Sequence, residues 1–182
     1  VDGMLVRVAS GLYRLDSQVS VAKGITIRSE AGAAQTIVNG NGAVRSFYLI
    51  HSNAVVDGFT MMNGYNASGG GGVWLQNGAL VKNCAISGNS AGSSGGGVYL
   101  AGGVVSNCVI SSNSVGFYRS GGGVYMTSGM VVNCTLVGNS TGGGDAGHGG
   151  GGVRGSGTVR NCLVINNTTG AAGDGGGIRD IA

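Results

Sequence analysis

Apolar and polar residues alternate along this chain in short bursts, and the bursts recur. Leu5-Val6-Arg7-Val8, Gly11-Leu12-Tyr13-Arg14-Leu15, Val19-Ser20-Val21 and Ile25-Thr26-Ile27-Arg28 follow one another with Gly, Asp and Ser between them. Alternation with a period of two, broken by turn-forming residues, predicts short strands. Residues 36–42, Phe47-Tyr48-Leu49-Ile50 and the run from Ala54 to Met61 continue the series. No segment has helical periodicity.

From Gly70 to Asp180 the alternation becomes a repeat. Five glycine triplets each deliver an aliphatic residue, at Val73, Val98, Val124, Val153 and Ile178. Four Asn-Cys pairs follow, at Asn83-Cys84, Asn107-Cys108, Asn133-Cys134 and Asn161-Cys162, and five residues after each cysteine stands Asn89, Asn113, Asn139 or Asn167. The cysteines are 24, 26 and 28 residues apart. Self-similarity at 20–50 residues is the signature of a solenoid. Each repeat reads as three short strands: the one after the glycines, a Val-Val-Ser-type segment, and the one that begins at cysteine, with the preceding Asn at the bend. Alternation turns the five aliphatics inward with Val81, Val105, Val131 and Val159, the four cysteines, and Ile86, Ile110, Leu136 and Val164. Aligning Asp57-Gly58-Phe59-Thr60 with the Asn-Cys segments puts Phe59 in the cysteine position, so the irregular coils of residues 1–66 belong to the same solenoid as the regular repeats of 67–182. Segments of variable length after each inner asparagine predict one loop-bearing face. The expected architecture is all-β: a single parallel β-helix of about seven coils spanning 1–182.

The cadence Gly-Gly-Gly-Val-Tyr-Leu…Val-Val-Ser-Asn-Cys-Val-Ile-Ser-Ser-Asn-Ser, residues 95–114, resembles the right-handed parallel β-helix repeat of large bacterial surface proteins, the polymorphic outer-membrane and adhesin-like passengers, and this resemblance implies a right-handed solenoid. The opening, with Val-Arg-Val-Ala-Ser-Gly-Leu-Tyr and Gly-Ile-Thr-Ile-Arg-Ser, is similar to the N-terminal coils of the pectate-lyase-like superfamily. The resemblance covers nearly the whole chain and implies the fold, together with a secreted or surface-displayed bacterial setting. It does not imply one activity, because this solenoid carries both lyases and inert stalks.

Composition narrows the function further. Glycine is 41 of 182 residues and proline is absent, yet 42% of residues are hydrophobic and 9% charged, which excludes disorder and collagen. The net charge of +3 is scattered, so no basic groove for nucleic acid forms. No apolar run reaches the ~20 residues of a membrane helix. The chain opens at Val1 with neither an initiator Met nor a signal sequence, which reads as a mature or excised piece, and Ile178 onward supplies no polar cap.

The cysteines lack the close pairing of zinc sites and read as a reduced, inward ladder. Asn89, Asn113, Asn139 and Asn167 read as a second ladder, each amide bonding the next; Asn139-Ser140-Thr141 and Asn167-Thr168-Thr169 also fit the glycosylation pattern. The glycine triplets read as tight turns with positive φ rather than a phosphate loop. Trp74, Tyr99 and Tyr125 share one outward position that Arg154 and Arg179 continue, a row suited to ring stacking on a sugar or on another subunit. Acids are few. Asp57 is isolated; Asp145 with His148, and Asp174 and Asp180 beside Arg179, lie in glycine-rich stretches, offering at most a weak calcium site at Asp145 or Asp174. No repeat supplies the carboxylate pair of a glycosidase. The outward column Ala85, Val109, Thr135, Leu163 is not the threonine ladder of an ice-binding face. The expectation is a non-catalytic structural segment without a cofactor: a stalk, adhesin or self-assembling fibre that associates end-to-end or laterally through unpaired strand edges. The alternative is a carbohydrate-binding or polysaccharide-cleaving β-helix.

Overall fold

A computed structural model describes residues 2–144, 147–171 and 175–181 of the chain. The described residues form no helix; their strands assemble into three parallel sheets of twelve, seven and five strands. In the seven-stranded sheet, Gly11–Arg14, Thr36–Asn39, Thr60–Met62, Ala85–Ser87, Val109–Ser111, Thr135–Val137 and Leu163–Ile165 follow one another in chain order, each paired to its equivalent one coil on. The molecule is a parallel β-solenoid of about seven turns.

The strand division differs in detail from the sequence expectation. The first two strands of each repeat, such as Val73–Gln76 and Leu80–Lys82, lie end to end in the twelve-stranded sheet, both pairing with the same strand of the next coil, and in the next two coils they fuse into the nine-residue strands Val98–Ser106 and Val124–Val132. The five-stranded sheet is built from two-residue strands after the inner asparagines, from Tyr65–Asn66 to Thr168–Thr169. Two residues are too few to show an alternation, so the sequence does not announce them.

The register explains the repeat. Val73 pairs with Val98, Val98 with Val124 and Val124 with Val153, while Ile86 pairs with Ile110 and Ile110 with Leu136. Like side chains therefore stack one strand spacing apart, about 4.8 Å, and all of these are fully buried. Phe59 is buried in the cysteine column, its neighbour Thr60 pairing with Ala85. The lining loosens in the last coils: Val159, Cys162 and Val164 are only partly buried. Ile178, expected inside, pairs with Val153 and, among the described residues, stays 43% exposed.

Three corners per coil take a left-handed backbone, which only Gly and Asn adopt at low cost. One corner is Asn83, Asn107, Asn133 and Asn161, φ 51–55°. A second is Gly88, Ser112, Gly138 and Asn166. The third is the first glycine of each triplet, and here the structure refines the sequence reading, because only that glycine needs positive φ. In the triplet 95–97, Gly95 has φ 73°, whereas a Cβ on Gly96 would lie 2.4 Å from the Ser114 carbonyl oxygen and one on Gly97 2.9 Å from the Asn113 amide. The triplet is the seam where the short sheet and the asparagine ladder press against the chain.

Candidate functional site

The inner asparagines are saturated by one another. The Asn89 side-chain nitrogen donates to Asn113 Oδ1 at 2.9 Å, Asn113 to Asn139 Oδ1 at 2.9 Å and Asn139 to Asn167 Oδ1 at 2.8 Å. Each of these oxygens also accepts the backbone N–H of the preceding asparagine at 3.0 Å. The second N–H of each amide reaches a carbonyl one coil back, from Met61, Ile86, Ile110 and Leu136 in turn. Asn89, Asn113 and Asn139 are buried, so the Asn139 glycosylation pattern is out of reach of solvent. A looser ladder runs outside: Asn107 donates to Asn83 at 2.7 Å, Asn161 to Asn133 at 2.6 Å, and Asn83 to Asp57 at 2.7 Å.

All four cysteines are free thiols, with Cys84, Cys108 and Cys134 buried and Cys162 half-buried. Their sulfurs donate to the carbonyls of Lys82, Ser106, Val132 and Arg160, two residues back in each case. Cys134 Sγ also accepts the Cys108 backbone N–H at 3.4 Å. The neighbouring Cys108 thiol draws the Cys134 pKa down to about 7, and the same interaction pushes that of Cys108 well up. No group of three His, Cys, Asp or Glu side chains is placed to hold a metal among the described residues.

Asp57, isolated in the sequence, is buried among cations: Arg28 Nε lies 2.9 Å away and Lys82 Nζ 3.7 Å. Asp145 and Asp174, the calcium candidates, lie outside the described residues.

The aromatic row is real and longer than the sequence reading had it. Tyr48 pairs with Trp74, Trp74 with Tyr99, and Tyr99 with Tyr125, after which come Arg154 and Arg179. Trp74 and Tyr99 stack with centroids 4.1 Å apart and planes 22° from parallel, and Tyr99 meets Tyr125 at 5.3 Å and 47°. Stacking at the strand spacing turns the ring faces toward one another, so the face that a sugar would lie on is already covered along the middle of the row. Arg154 and Arg179 are held within the protein: Arg154 pairs with Asp180 at 2.9 Å and donates to Ser120 Oγ at 3.0 Å and to the Gly147 carbonyl. Arg179 lies 3.5 Å from Asp180 and donates to the His148 carbonyl.

The N-terminal end of the row is different. Phe47 pairs with Val73, so Arg45 stands where the next coil has Gly71, the middle glycine of its triplet. Its side chain turns toward the next coil and is only 4% exposed. Nε donates to the Gly70 carbonyl at 2.8 Å, Nη2 to Gly69 at 2.7 Å and Nη1 to Gln18 Oε1 at 3.2 Å. The guanidinium carbon sits 5.3 Å from the Tyr48 ring centre and 5.1 Å from that of Trp74. Burial lowers the Arg45 pKa to about 10, which leaves it charged at neutral pH. Gln18, Arg45, Tyr48, Asn66, Ser68 and Trp74 together line a pocket of about 310 Å³. Sequence reasoning missed Arg45 and Tyr48 because their coil has no glycine triplet; the match of Phe47-Tyr48-Leu49 to Val73-Trp74-Leu75 was the signal that would have found them.

Comparison with family models, with curated proteins and with solved structures gave no match. What the geometry establishes is the β-solenoid, its ladders and this pocket.

Proposed function

We propose that the chain is a non-catalytic structural segment of a secreted or surface-displayed bacterial β-solenoid: a stalk, adhesin or fibre subunit. The observation that carries this reading is the saturated asparagine ladder, which ties four successive coils into one register. A buried amide without partners costs about 1–3 kcal/mol, so slippage of any coil against the next is opposed at every step, and the backbone pairing of three sheets opposes it again. The product is a stiff body that presents loops at fixed spacing, with Phe117 (68%) and Tyr118 (57%) the most exposed large apolar side chains among the described residues.

Self-association belongs to the same proposal. The first described coils open on an apolar mouth of about 290 Å³ lined by Val6, Val8, Leu15, Val19, Phe47 and Phe59 among others, and at the opposite end Ile178 is exposed and the inward Val159 and Val164 are only partly buried. Ends of this kind, with strand edges beside them, suit a second copy. Negative-stain imaging of the purified chain across a concentration series tests it. Filaments with an axial repeat near seven coil heights, about 34 Å, are the expected outcome. A strict monomer at the highest concentration would remove self-assembly, and turnover of a polysaccharide by the purified chain would remove the non-catalytic reading.

Carbohydrate recognition is the second reading, and one observation favours it: the aromatic row ends at Arg45 in a polar, sugar-sized pocket rather than in packed side chains.

A further inference from the structure

We infer that the pocket at Arg45 is a binding site for a ring-bearing carboxylate, a small organic acid whose charge meets the guanidinium while its ring lies between Tyr48 and the polar edge formed by Asn66 and Ser68. The inference is independent of the mechanical reading and sharpens the second one.

The first argument is charge. A guanidinium taken out of water needs compensation, and Arg45, 4% exposed, has no carboxylate within ion-pair distance among the described residues. Two backbone carbonyls, one amide oxygen and two aromatic faces offset part of the cost. They do not complete it. Of the five N–H groups of a guanidinium, three are donated within the protein. Nη1 and Nη2 each keep one, and they belong to the nitrogens whose fork geometry matches a carboxylate.

The second argument is the character of the wall. Around Arg45 the pocket presents the Asn66 amide, the Ser68 hydroxyl, Gln18 and the Trp74 indole, and no acidic side chain lines it. Asn66 Oδ1 is already used, accepting the Ser68 backbone N–H at 2.9 Å, which leaves its NH2 group as the free end. The Trp74 indole N–H is buried with no hydrogen-bond partner among the described residues. Gln18 turns its oxygen to Arg45 and its nitrogen to Ser20 Oγ, so the donors left on the wall are the Asn66 amide and the Ser68 hydroxyl, and beside a buried cation they favour an anion. The third argument is size: about 310 Å³ suits a single six-membered ring with its substituents. The aromatic edges of Tyr48 and Trp74 give that ring an apolar surface.

Isothermal titration of the whole chain with glucuronate, benzoate, glucose and inorganic sulfate tests the site. The expected result is saturable binding of glucuronate or benzoate with Kd on the order of 1 mM, with glucose and sulfate at least about tenfold weaker. Glucuronate without benzoate assigns the ring to a sugar, and benzoate without glucuronate to an aromatic acid; either supports the inference, and the latter removes carbohydrate recognition. Binding of neither acid overturns it. Glucose matching glucuronate overturns the acid specificity while sparing carbohydrate recognition, and sulfate matching both acids reduces the site to an adventitious ion only. Because Arg45 also holds the Gly69 and Gly70 carbonyls, its replacement risks the fold, so the deciding variant is Asn66→Asp. It keeps the acceptor for the Ser68 N–H and puts a negative charge in place of a donor. Loss of acid binding by about tenfold or more with an unchanged melting temperature is expected; unchanged affinity overturns the inference.

Discussion

The Asn113 side chain is fully buried and makes four hydrogen bonds to protein groups. Its oxygen takes two donors from Asn89, and its nitrogen serves Ile86 and Asn139. Replacing it with Ala strands one side-chain N–H and the backbone N–H of Asn89 on one side and takes the donor from the Ile86 carbonyl on the other, while Asn139 Oδ1 keeps only the backbone N–H of residue 113. With about 1–3 kcal/mol for each buried group left unsatisfied and partial relaxation, Asn113→Ala is expected to lower stability by about 3–5 kcal/mol in urea unfolding. Asn167→Ala, at the half-buried end of the ladder, is expected to cost about half as much; equal and small losses at both sites would show that the ladder contributes little. This part of the protein was legible in the sequence, because an asparagine five residues after every cysteine has no reason to persist unless the two columns face one interior. Arg45 was not legible. Nothing in Ala43-Val44-Arg45-Ser46 marks it as the occupant of a glycine position, and its role comes from carbonyls of the next coil, Gly69 and Gly70, that only the register brings over it.

At the level of elements, the glycine triplets show how one composition can serve three purposes. Positive φ accounts for the first glycine of 95–97, and contact with other backbones or with the ladder accounts for the rest. The middle one is the most constrained. A methyl group on Gly96 meets carbonyl oxygens of Ser114 and Gly122 at 2.4 and 2.5 Å, both backbone and both fixed by strand pairing. Gly96→Ala is therefore expected to cost about 3 kcal/mol, the upper end for overpacking, while Gly116→Ala, whose added methyl group would meet nothing, is expected to be neutral. A urea midpoint unchanged by Gly96→Ala would mean that the short sheet yields. That short sheet is also what the sequence reading lacked: strands such as Ser90–Ala91 are defined by their neighbours above and below, not by their own residues. The long strands were visible because Val73-Trp74-Leu75 and its equivalents repeat one apolar-aromatic-apolar pattern in register.

For the molecule as a whole, the coil-to-coil contacts are nearly interchangeable. Val73 meets Val98 as Val98 meets Val124, and Asn89 meets Asn113 as Asn113 meets Asn139. Removal of residues 98–123 joins Gly97 to Val124 and offers each side chain of the lower coil a partner of the kind it lost: Val124 for Val98, Tyr125 for Tyr99, Asn139 for Asn113. The shortened chain is expected to fold with a β-rich circular dichroism spectrum and a single cooperative melt; an unfolded or aggregated product would show that the coils are individually specified. Insertion of one residue within a strand has the opposite character, since it exchanges the inward and outward sets of every residue that follows in that strand. In-register pairing thus makes the protein a graduated ruler. Its length changes by whole divisions, each division leaves the chemistry of the others untouched, and the distance between whatever is mounted on its ends is a matter of copy number.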